Sequence, residues 1–177
     1  MQQRMQPPAN RRLGDVSTLE AGPAMSTIQV RLFHPADFPA LHNLDQQCFP
    51  PEIAYSPDDL RYFLEAKDSL TLVAEDADGG IAGFALAQMY RARPTFQARL
   101  ITIDVVPEFR RKGIGSDLLK ACEAEMREHH VTRFRLEVAV GNSAAQALYR
   151  SFGYETVGRI AAYYPTGEDA LVMQKQL

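Results

Sequence analysis

The chain has 177 residues, 46% of them hydrophobic, which is enough for one domain with a substantial core. A formal net charge of −3 argues against a broad surface for nucleic acid or for anionic membranes. Because there is no apolar stretch near the roughly 18 residues of a membrane span and no recognisable export signal, the sequence predicts a cytoplasmic protein without nucleic-acid or membrane partners.

The cysteine and histidine content points away from crosslinks and metal. Cys48 and Cys122 fall on predicted apolar helix faces, which indicates buried thiols in a reducing compartment rather than a disulfide. The cysteines and the four histidines lack the spacing of a metal site, so no metal is expected.

The predicted elements begin after a polar segment. Residues 1–25 are rich in Gln, Arg, Pro and small residues without an apolar period, which predicts a flexible extension. The remaining residues, 26–177, are predicted to form a single domain. Its elements follow the order β-α-α-β-β-β-α-β-α-β-β, over the approximate ranges 28–33, 38–48, 56–66, 70–75, 81–90, 100–106, 114–126, 131–140, 143–152, 157–163 and 170–174.

Three local signals support this order. The segment Ser56-Pro57-Asp58-Asp59 supplies a helix N-cap, a proline at the first helical position and acids in the first turn. Asp76-Ala77-Asp78-Gly79-Gly80, between two apolar runs, indicates a hairpin. An apolar residue recurs every fourth position from Ile114 to Met126, which predicts one buried helix stripe. A hairpin-rich first half and a central strand-helix-strand crossover predict a mixed α/β (α+β) sheet.

The segment Arg110-Arg111-Lys112-Gly113-Ile114-Gly115-Ser116 lies between a predicted strand and a predicted helix. Its glycines let backbone N–H groups approach an anion, and the start of the helix adds free N–H donors and the positive end of its dipole. The three basic side chains add mobile charge, so a pyrophosphate is the predicted ligand. The spacing fits neither the P-loop nor the dinucleotide fingerprint, which would need glycine at Leu118.

This Arg-x-x-Gly-x-Gly pattern after Val-Val-Pro-Glu-Phe resembles the coenzyme A pyrophosphate motif of the GNAT N-acetyltransferase superfamily. Residues 136–149, with Leu-Glu-Val and Asn-x-x-Ala-x-x-Leu-Tyr, and residues 163–173, with Tyr-Tyr-Pro and Glu-Asp-Ala, resemble the ribosomal-protein alanine N-acetyltransferase and its N-terminal acetyltransferase relatives. The resemblance covers about residues 27–177. It implies the GNAT fold, with a mixed central sheet of about seven strands, splayed parallel central strands that admit the pantetheine arm, and about four helices.

The resemblance implies an acetyl-CoA-dependent N-acetyltransferase that acts on the α-amino group of a protein or peptide N-terminus, by direct attack in a ternary complex. Glu137 is the implied general base and Tyr149 the implied proton donor to the departing thiolate. The pattern alone favours a solvated carboxylate beside Arg135 for Glu137, and a core side chain for Tyr149.

The resemblance also implies a set of cofactor contacts. The backbone of Ile103, Asp104 and Val105 pairs with pantetheine and stabilises the oxyanion, and residues 110–116 hold the pyrophosphate. Asn142 is the N-cap of its helix, a contact to coenzyme A, or both. The Asp104 side chain is open to two interpretations, steering of a cationic amine and capping of a bend.

Four aromatic residues correspond to the walls of the acceptor groove in the similar enzymes: Phe49, Tyr55, Tyr163 and Tyr164. Simple packing at loops explains the same aromatic residues equally well. The chain has Phe-Pro-Pro where the ribosomal enzymes have Phe-Pro-Trp, and it contains no Trp. The resemblance therefore does not imply a ribosomal acceptor.

Two other functions are consistent with the same motifs. One is a small-molecule amine N-acetyltransferase on the same fold. The other is a non-catalytic acetyl-CoA-binding module that senses the cofactor or recruits a partner, although the presence of both Glu137 and Tyr149 argues against it.

Overall fold

The computed structural model describes residues 28–177 and contains seven strands and four α-helices in the predicted order. The predicted extension over residues 1–25 lies outside the described residues. The elements are β1 (Gln29–Leu32), α1 (Phe38–Cys48), α2 (Pro57–Glu65), β2 (Ser69–Glu75), β3 (Ile81–Ala92), β4 (Thr95–Val105), α3 (Ile114–Glu128), β5 (Val131–Ala139), α4 (Ser143–Ser151), β6 (Glu155–Ile160) and β7 (Ala170–Gln176).

Two strand boundaries differ from the predicted positions by three residues or more. Strand β4 begins at Thr95 rather than at residue 100, because residues 95–99 alternate in side-chain direction and pair with the end of β3. Strand β6 ends at Ile160 rather than at Tyr163, because the Asp169 carboxylate accepts the Ala162 N–H at 2.8 Å and turns the chain. Tyr163 therefore lies in the connection between β6 and β7.

The strands form one sheet in the order β1-β2-β3-β4-β5-β7-β6. The β4–β5 pair is parallel and every other neighbouring pair is antiparallel, which confirms the predicted mixed sheet. The predicted stripe from Ile114 to Met126 is also confirmed, because α3 buries it against the sheet. None of the helices within residues 28–177 combines the length and apolarity needed to cross a bilayer.

The two faces of the sheet carry separate hydrophobic clusters. Helices α3 and α4 pack on one face, where Leu72 points, and α1 and α2 pack on the other face, where Val73 points. Successive strand residues alternate between the faces, so a single strand serves both clusters. Both cysteines are free; Cys122 is fully buried as predicted, whereas Cys48 is only half-buried.

The two central strands part midway along their length. Strands β4 and β5 pair only from Phe96 to Leu100 and from Val131 to Leu136, although both strands continue beyond this region. On the β3 side, Ile101 is an extra residue without a partner, which makes a bulge at the point of divergence. A bulge bends its strand and increases its twist. The splay implied by the resemblance is therefore confirmed, and the bulge gives its structural cause.

Gly83 on β3 allows a close approach at the splayed end of β4. It pairs with Val105, and a Cβ atom added to Gly83 would lie 2.7 Å from the backbone carbonyl oxygen of Asp104. Backbone atoms within a sheet move less readily than the tip of a flexible side chain. A side chain at position 83 would therefore displace the part of β4 that borders the opening.

We expect Gly83→Ala to lower the free energy of unfolding by about 1–3 kcal/mol, because the added methyl group overpacks the β3–β4 contact. Urea-induced unfolding would measure this loss. Gly158→Ala is the matched control, because its added Cβ would lie 3.7 Å from Val172, an ordinary contact distance. Equal stability of the two variants would contradict the assigned role of Gly83.

Candidate active site at the splayed strands

The opening between β4 and β5 has an unpaired stretch of β4 as one wall. The predicted cofactor-binding residues Ile103, Asp104 and Val105 form the last part of this strand, where β5 no longer pairs with it. The Val105 carbonyl oxygen accepts the Arg110 Nε–H at 3.1 Å. A strand edge without a partner can pair with an extended ligand.

Backbone N–H donors are clustered in the turn that follows β4. Arg111 and Gly113 both have left-handed backbone conformations, with φ of 61° and 88°, and α3 begins at Ile114. The N–H groups of residues 111–116 make no hydrogen bond to any other group in the described range. Successive free N–H groups at a helix start form an anion-binding concavity. The predicted pyrophosphate segment thus has the backbone geometry of an anion site.

Two of the three basic side chains of this turn contact other parts of the chain. The Arg110 guanidinium bonds to Val105 and lies 3.6 Å from Cys48 Sγ, so it holds the turn against β4 and α1. The Lys112 Nζ lies 4.9 Å from the centre of the Phe109 ring. A Cβ atom at Gly115 would lie 3.5 Å from Leu148, an ordinary contact distance, so α3 and α4 are neighbours here.

Helix α4 is pinned to the end of β5. Asn142 is its N-cap, with Oδ1 accepting the Ala145 N–H at 3.0 Å. The Gln146 amide donates to the carbonyl oxygens of Ala139 and Val140 at 3.0 and 2.9 Å. These bonds fix the position of α4, and so of Tyr149, relative to β5.

Tyr149 is a buried side chain on α4. Its ring packs edge-on against Tyr154, with 5.8 Å between the ring centres, which matches the core interpretation. Its hydroxyl makes no hydrogen bond within residues 28–177. Burial raises the pKa of Tyr149, so the phenol keeps its proton at neutral pH and beyond. The side chain therefore combines core packing with an available donor.

Glu137 is the centre of an ion-pair cluster on the open face of the sheet. Its Oε2 accepts the Arg99 Nε–H at 2.6 Å and its Oε1 accepts the Arg135 Nε–H at 3.1 Å. Its side chain is only 6% exposed, so the solvated carboxylate that the pattern favoured is wrong. Arg99 also donates to the Tyr163 hydroxyl at 2.5 Å. Glu137 therefore lies between two guanidinium groups.

Arg99 was not predicted from the sequence. It lies in Thr-Phe-Gln-Ala-Arg, the first part of β4, which precedes the strand predicted to begin at residue 100. The alternation of this run, with Ala98 buried, was the signal that could have extended the strand and placed Arg99 beside Arg135.

A cavity of about 370 Å³ opens at this cluster. It is lined by Tyr90, Arg99, Arg135, Glu137 and Tyr163. A larger cavity of about 500 Å³ lies at the outer end of the β3–β4 hairpin and contains none of the predicted site residues. The smaller cavity is therefore the candidate acceptor site.

The predicted acceptor aromatics are only partly brought together. Tyr163 and Tyr164 pack edge-to-face with 5.0 Å between ring centres, and Tyr163 borders the cavity. Burial raises the pKa of Tyr164 and of Tyr55 to about 12 in each case. Tyr55 packs against Phe63 of α2, and Phe49 does not line the cavity.

Two buried carboxyl groups lie between α1 and the splayed end of β4. Asp104 accepts the Thr102 hydroxyl at 2.5 Å, and Asp45 accepts the Tyr55 N–H at 2.8 Å. One oxygen of each group has no hydrogen-bond partner in the described part of the chain. Burial, with a contribution from Asp45, raises the pKa of Asp104 to about 7. Within residues 28–177 the Asp104 carboxyl accepts no backbone N–H, so the bend-capping interpretation has no support there.

Comparison with known proteins gives this arrangement a family context. The model of the "Acetyltransferase (GNAT) family" matches residues 38–154. The ribosomal protein bS18-alanine N-acetyltransferase of Salmonella typhimurium is 31% identical to the chain over 152 residues, covering 84% of this chain and 96% of that protein. The N-alpha-acetyltransferase of Sulfurisphaera tokodaii is 32% identical over 123 residues, covering 64% and 73%.

A solved structure agrees with the sequence matches. The crystal structure of the ribosomal-protein-S18-alanine N-acetyltransferase from Escherichia coli superposes with a TM-score of 0.74 at 28% sequence identity. The superposition covers 85% of this chain and 94% of that chain.

We expect Asp104→Asn to change how stability depends on pH. The folded chain holds the Asp104 proton up to about pH 7, whereas the unfolded chain releases it near its ordinary pKa of 3.8, so wild-type stability falls as pH rises between these values. The amide of Asp104→Asn carries no ionisable proton, so the variant does not lose stability in this way as pH rises. Urea unfolding should show the variant to be more stable than the wild type at pH 8 by about 1–4 kcal/mol, with a smaller difference at pH 5.

Asp58→Asn is the control for this measurement, because its side chain is 96% exposed on α2. It should unfold like the wild type at both pH values. Parallel pH profiles for wild type and Asp104→Asn would show that Asp104 is ionised in the fold at neutral pH.

Proposed function

This chain belongs to the GNAT acetyltransferase family, and we propose that it transfers the acetyl group of acetyl-CoA to the α-amino group of a protein or peptide N-terminus. The observation that carries the proposal is the opening between β4 and β5, which is followed directly by free N–H groups and bordered by the Glu137 cavity. Similar proteins are named for acting on a ribosomal-protein alanine and on N-alpha groups.

The chain offers a distinct surface to each part of the cofactor. Residues 103–105 present an unpaired strand edge that would pair with the extended pantetheine arm. The N–H groups of residues 111–116 would bind the pyrophosphate, because they lack other partners. Acetyl-CoA supplies an activated acetyl group as a thioester, and this chain supplies the groups that bind it and move protons.

Glu137 is the proposed proton acceptor for the amine. An α-amino group, with an ordinary pKa of about 7.7–8.0, gives up its proton more readily than a lysine at about 10.4. Both oxygens of Glu137 already accept guanidinium hydrogen bonds. Glu137 must therefore exchange one of these bonds, or act through a water molecule, when it receives a proton.

Tyr149 is the proposed proton donor to the departing thiolate. Its phenol is protonated at neutral pH because burial raises its pKa, and its hydroxyl has no partner among the described residues. Tyr149 and Glu137 belong to neighbouring elements that Gln146 ties together. The two proton-transfer groups would therefore keep a fixed separation during turnover.

We expect acetylation to be confined to free N-termini. Release of free CoA thiol from acetyl-CoA should be measured with short peptides that begin with Ala, Ser or Met, with N-terminally blocked lysine peptides, and with small amines. Turnover of the free N-termini alone would support the proposal. Turnover of small amines alone would replace it with a small-molecule acetyltransferase, and acetyl-CoA binding without any turnover would replace it with a sensor.

We expect Glu137→Gln to lower kcat by about 10²–10⁴-fold, the range that positioned general bases contribute, without weakening acetyl-CoA binding. Calorimetric titration with acetyl-CoA provides the binding measurement. Glu65→Gln is the matched control, because its side chain is 72% exposed on α2, and it should keep wild-type kcat. Wild-type turnover in Glu137→Gln would remove Glu137 from the mechanism and make the buried Asp104 the next residue to test.

A further inference from the structure

The face of the sheet that bears Glu137 is basic around the cavity. Helices α1 and α2 pack on β2, β3 and β4, and beyond them the face carries polar side chains. Arg99 on β4 is paired with Arg135 on β5, and Arg133 follows on the same face of β5. The side chains of Arg99 and Arg135 are each 41% exposed. Solvent and ligands can therefore reach these guanidinium groups.

The charges on this patch do not balance. Two guanidinium groups, those of Arg99 and Arg135, bond to one carboxylate, that of Glu137, which leaves an excess of one positive charge at the cavity. Two further acids lie near this face: Asp68 accepts the side-chain amide of Gln88, which pairs with Arg99, and Glu155 on β6 lies two strands from Arg135, opposite Gln174. Neither acid forms a salt bridge with Arg99 or Arg135 within residues 28–177. The patch is basic although the whole chain carries a net charge of −3.

Unused donors accompany the excess charge. Arg99 bonds to Glu137 through Nε and to Tyr163 through one terminal nitrogen, and a guanidinium has five donors in total. The Arg133 Nε is buried and has no hydrogen-bond partner within residues 28–177. Donors of this kind suit a carboxylate, which can accept two parallel bonds from one guanidinium.

We infer that Arg99 and Arg135 form a specificity site for an acidic side chain, Asp or Glu, close behind the N-terminus of the acceptor. This inference rests on the proposed function. The cavity of about 370 Å³ between Tyr90 and Tyr163 has room for one side chain of a peptide. The negative charge of the whole chain disfavours a nucleic acid as the anion.

An acidic acceptor would also act on Glu137. Its carboxylate would compete with Glu137 for the same two guanidinium groups, since both Glu137 oxygens are bonded to them. Glu137 would then regain an oxygen that can accept the amine proton. Recognition of the acceptor and release of the proposed base are thus coupled through Arg99 and Arg135. An acidic peptide should therefore have a higher kcat as well as a lower KM than its neutral counterpart.

Matched peptides test this inference. Four peptides that differ only at position 2, with Asp, Asn, Glu or Lys after an N-terminal Ala, should be compared in steady-state kcat/KM. The wild type should favour Asp and Glu over Asn by at least about tenfold, which corresponds to one charge-assisted hydrogen bond, and should disfavour Lys. High salt should reduce the preference.

Variants of Arg135 test whether this arginine is responsible for the preference for Asp and Glu at position 2. Arg135→Glu should reverse it, so that the Lys peptide has the highest kcat/KM of the four. Arg135→Gln should bring the ratio of kcat/KM for the Asp and Asn peptides to about one, whatever its effect on the rate with either peptide. Arg61→Gln on α2, whose ion pairs are both with exposed acids, is the control and should keep the wild-type order. Thermal melting and acetyl-CoA binding confirm that each variant is folded.

Two results would overturn the inference in distinguishable ways. Equal kcat/KM for Asp and Asn peptides in the wild type, with turnover present, would refute the acidic specificity and leave N-terminal acetylation in place. Absence of turnover with every peptide, in a protein that binds acetyl-CoA, would refute the proposed function and the inference together. If Arg135→Glu does not fold, the wild-type comparison and Arg135→Gln still decide the outcome.

Discussion

The parting of β4 from β5 is the constraint on which the rest of this structure depends. Backbone groups in a sheet are normally paired, and a strand edge left open inside a domain needs a partner. The bulge at Ile101 bends β4 away from β5, while Gly83 keeps it against β3 on its other edge. The opening is therefore held by the fold before any ligand arrives, which reduces the ordering that a ligand would have to supply.

The face of the sheet that bears Glu137 has a covered part and an open part. The carboxyl groups of Asp45 on α1 and Asp104 on β4 are buried in the covered part, where burial raises the pKa of both. The guanidinium groups of Arg99 and Arg135 lie in the open part. The charge that this face presents to a ligand at the surface is therefore positive, which would favour an acidic acceptor over a basic one.

The elements and the turn proposed to bind the pyrophosphate were predictable because their signals are local. Hairpin glycines, the Ser56 N-cap and the four-residue apolar period act within a few residues of one another, and the structure contains every predicted strand and helix in order. The predicted ends of strands were less accurate where pairing with a neighbouring strand or a side-chain contact decides them. The first part of β4 is a strand because β3 lies beside it, and the end of β6 is set by the Asp169 carboxylate.

The sequence by itself determined the family resemblance, the mixed sheet and the identity of the two proposed proton-transfer residues. Only the tertiary structure showed that Glu137 lies between Arg99 and Arg135, that Arg110 bonds to Val105, and that Asp104 is buried. The reason is physical. A spacing pattern encodes which face of an element a side chain occupies, whereas the partner of a side chain on another strand depends on register and sheet order. Those follow from the packing of the whole domain.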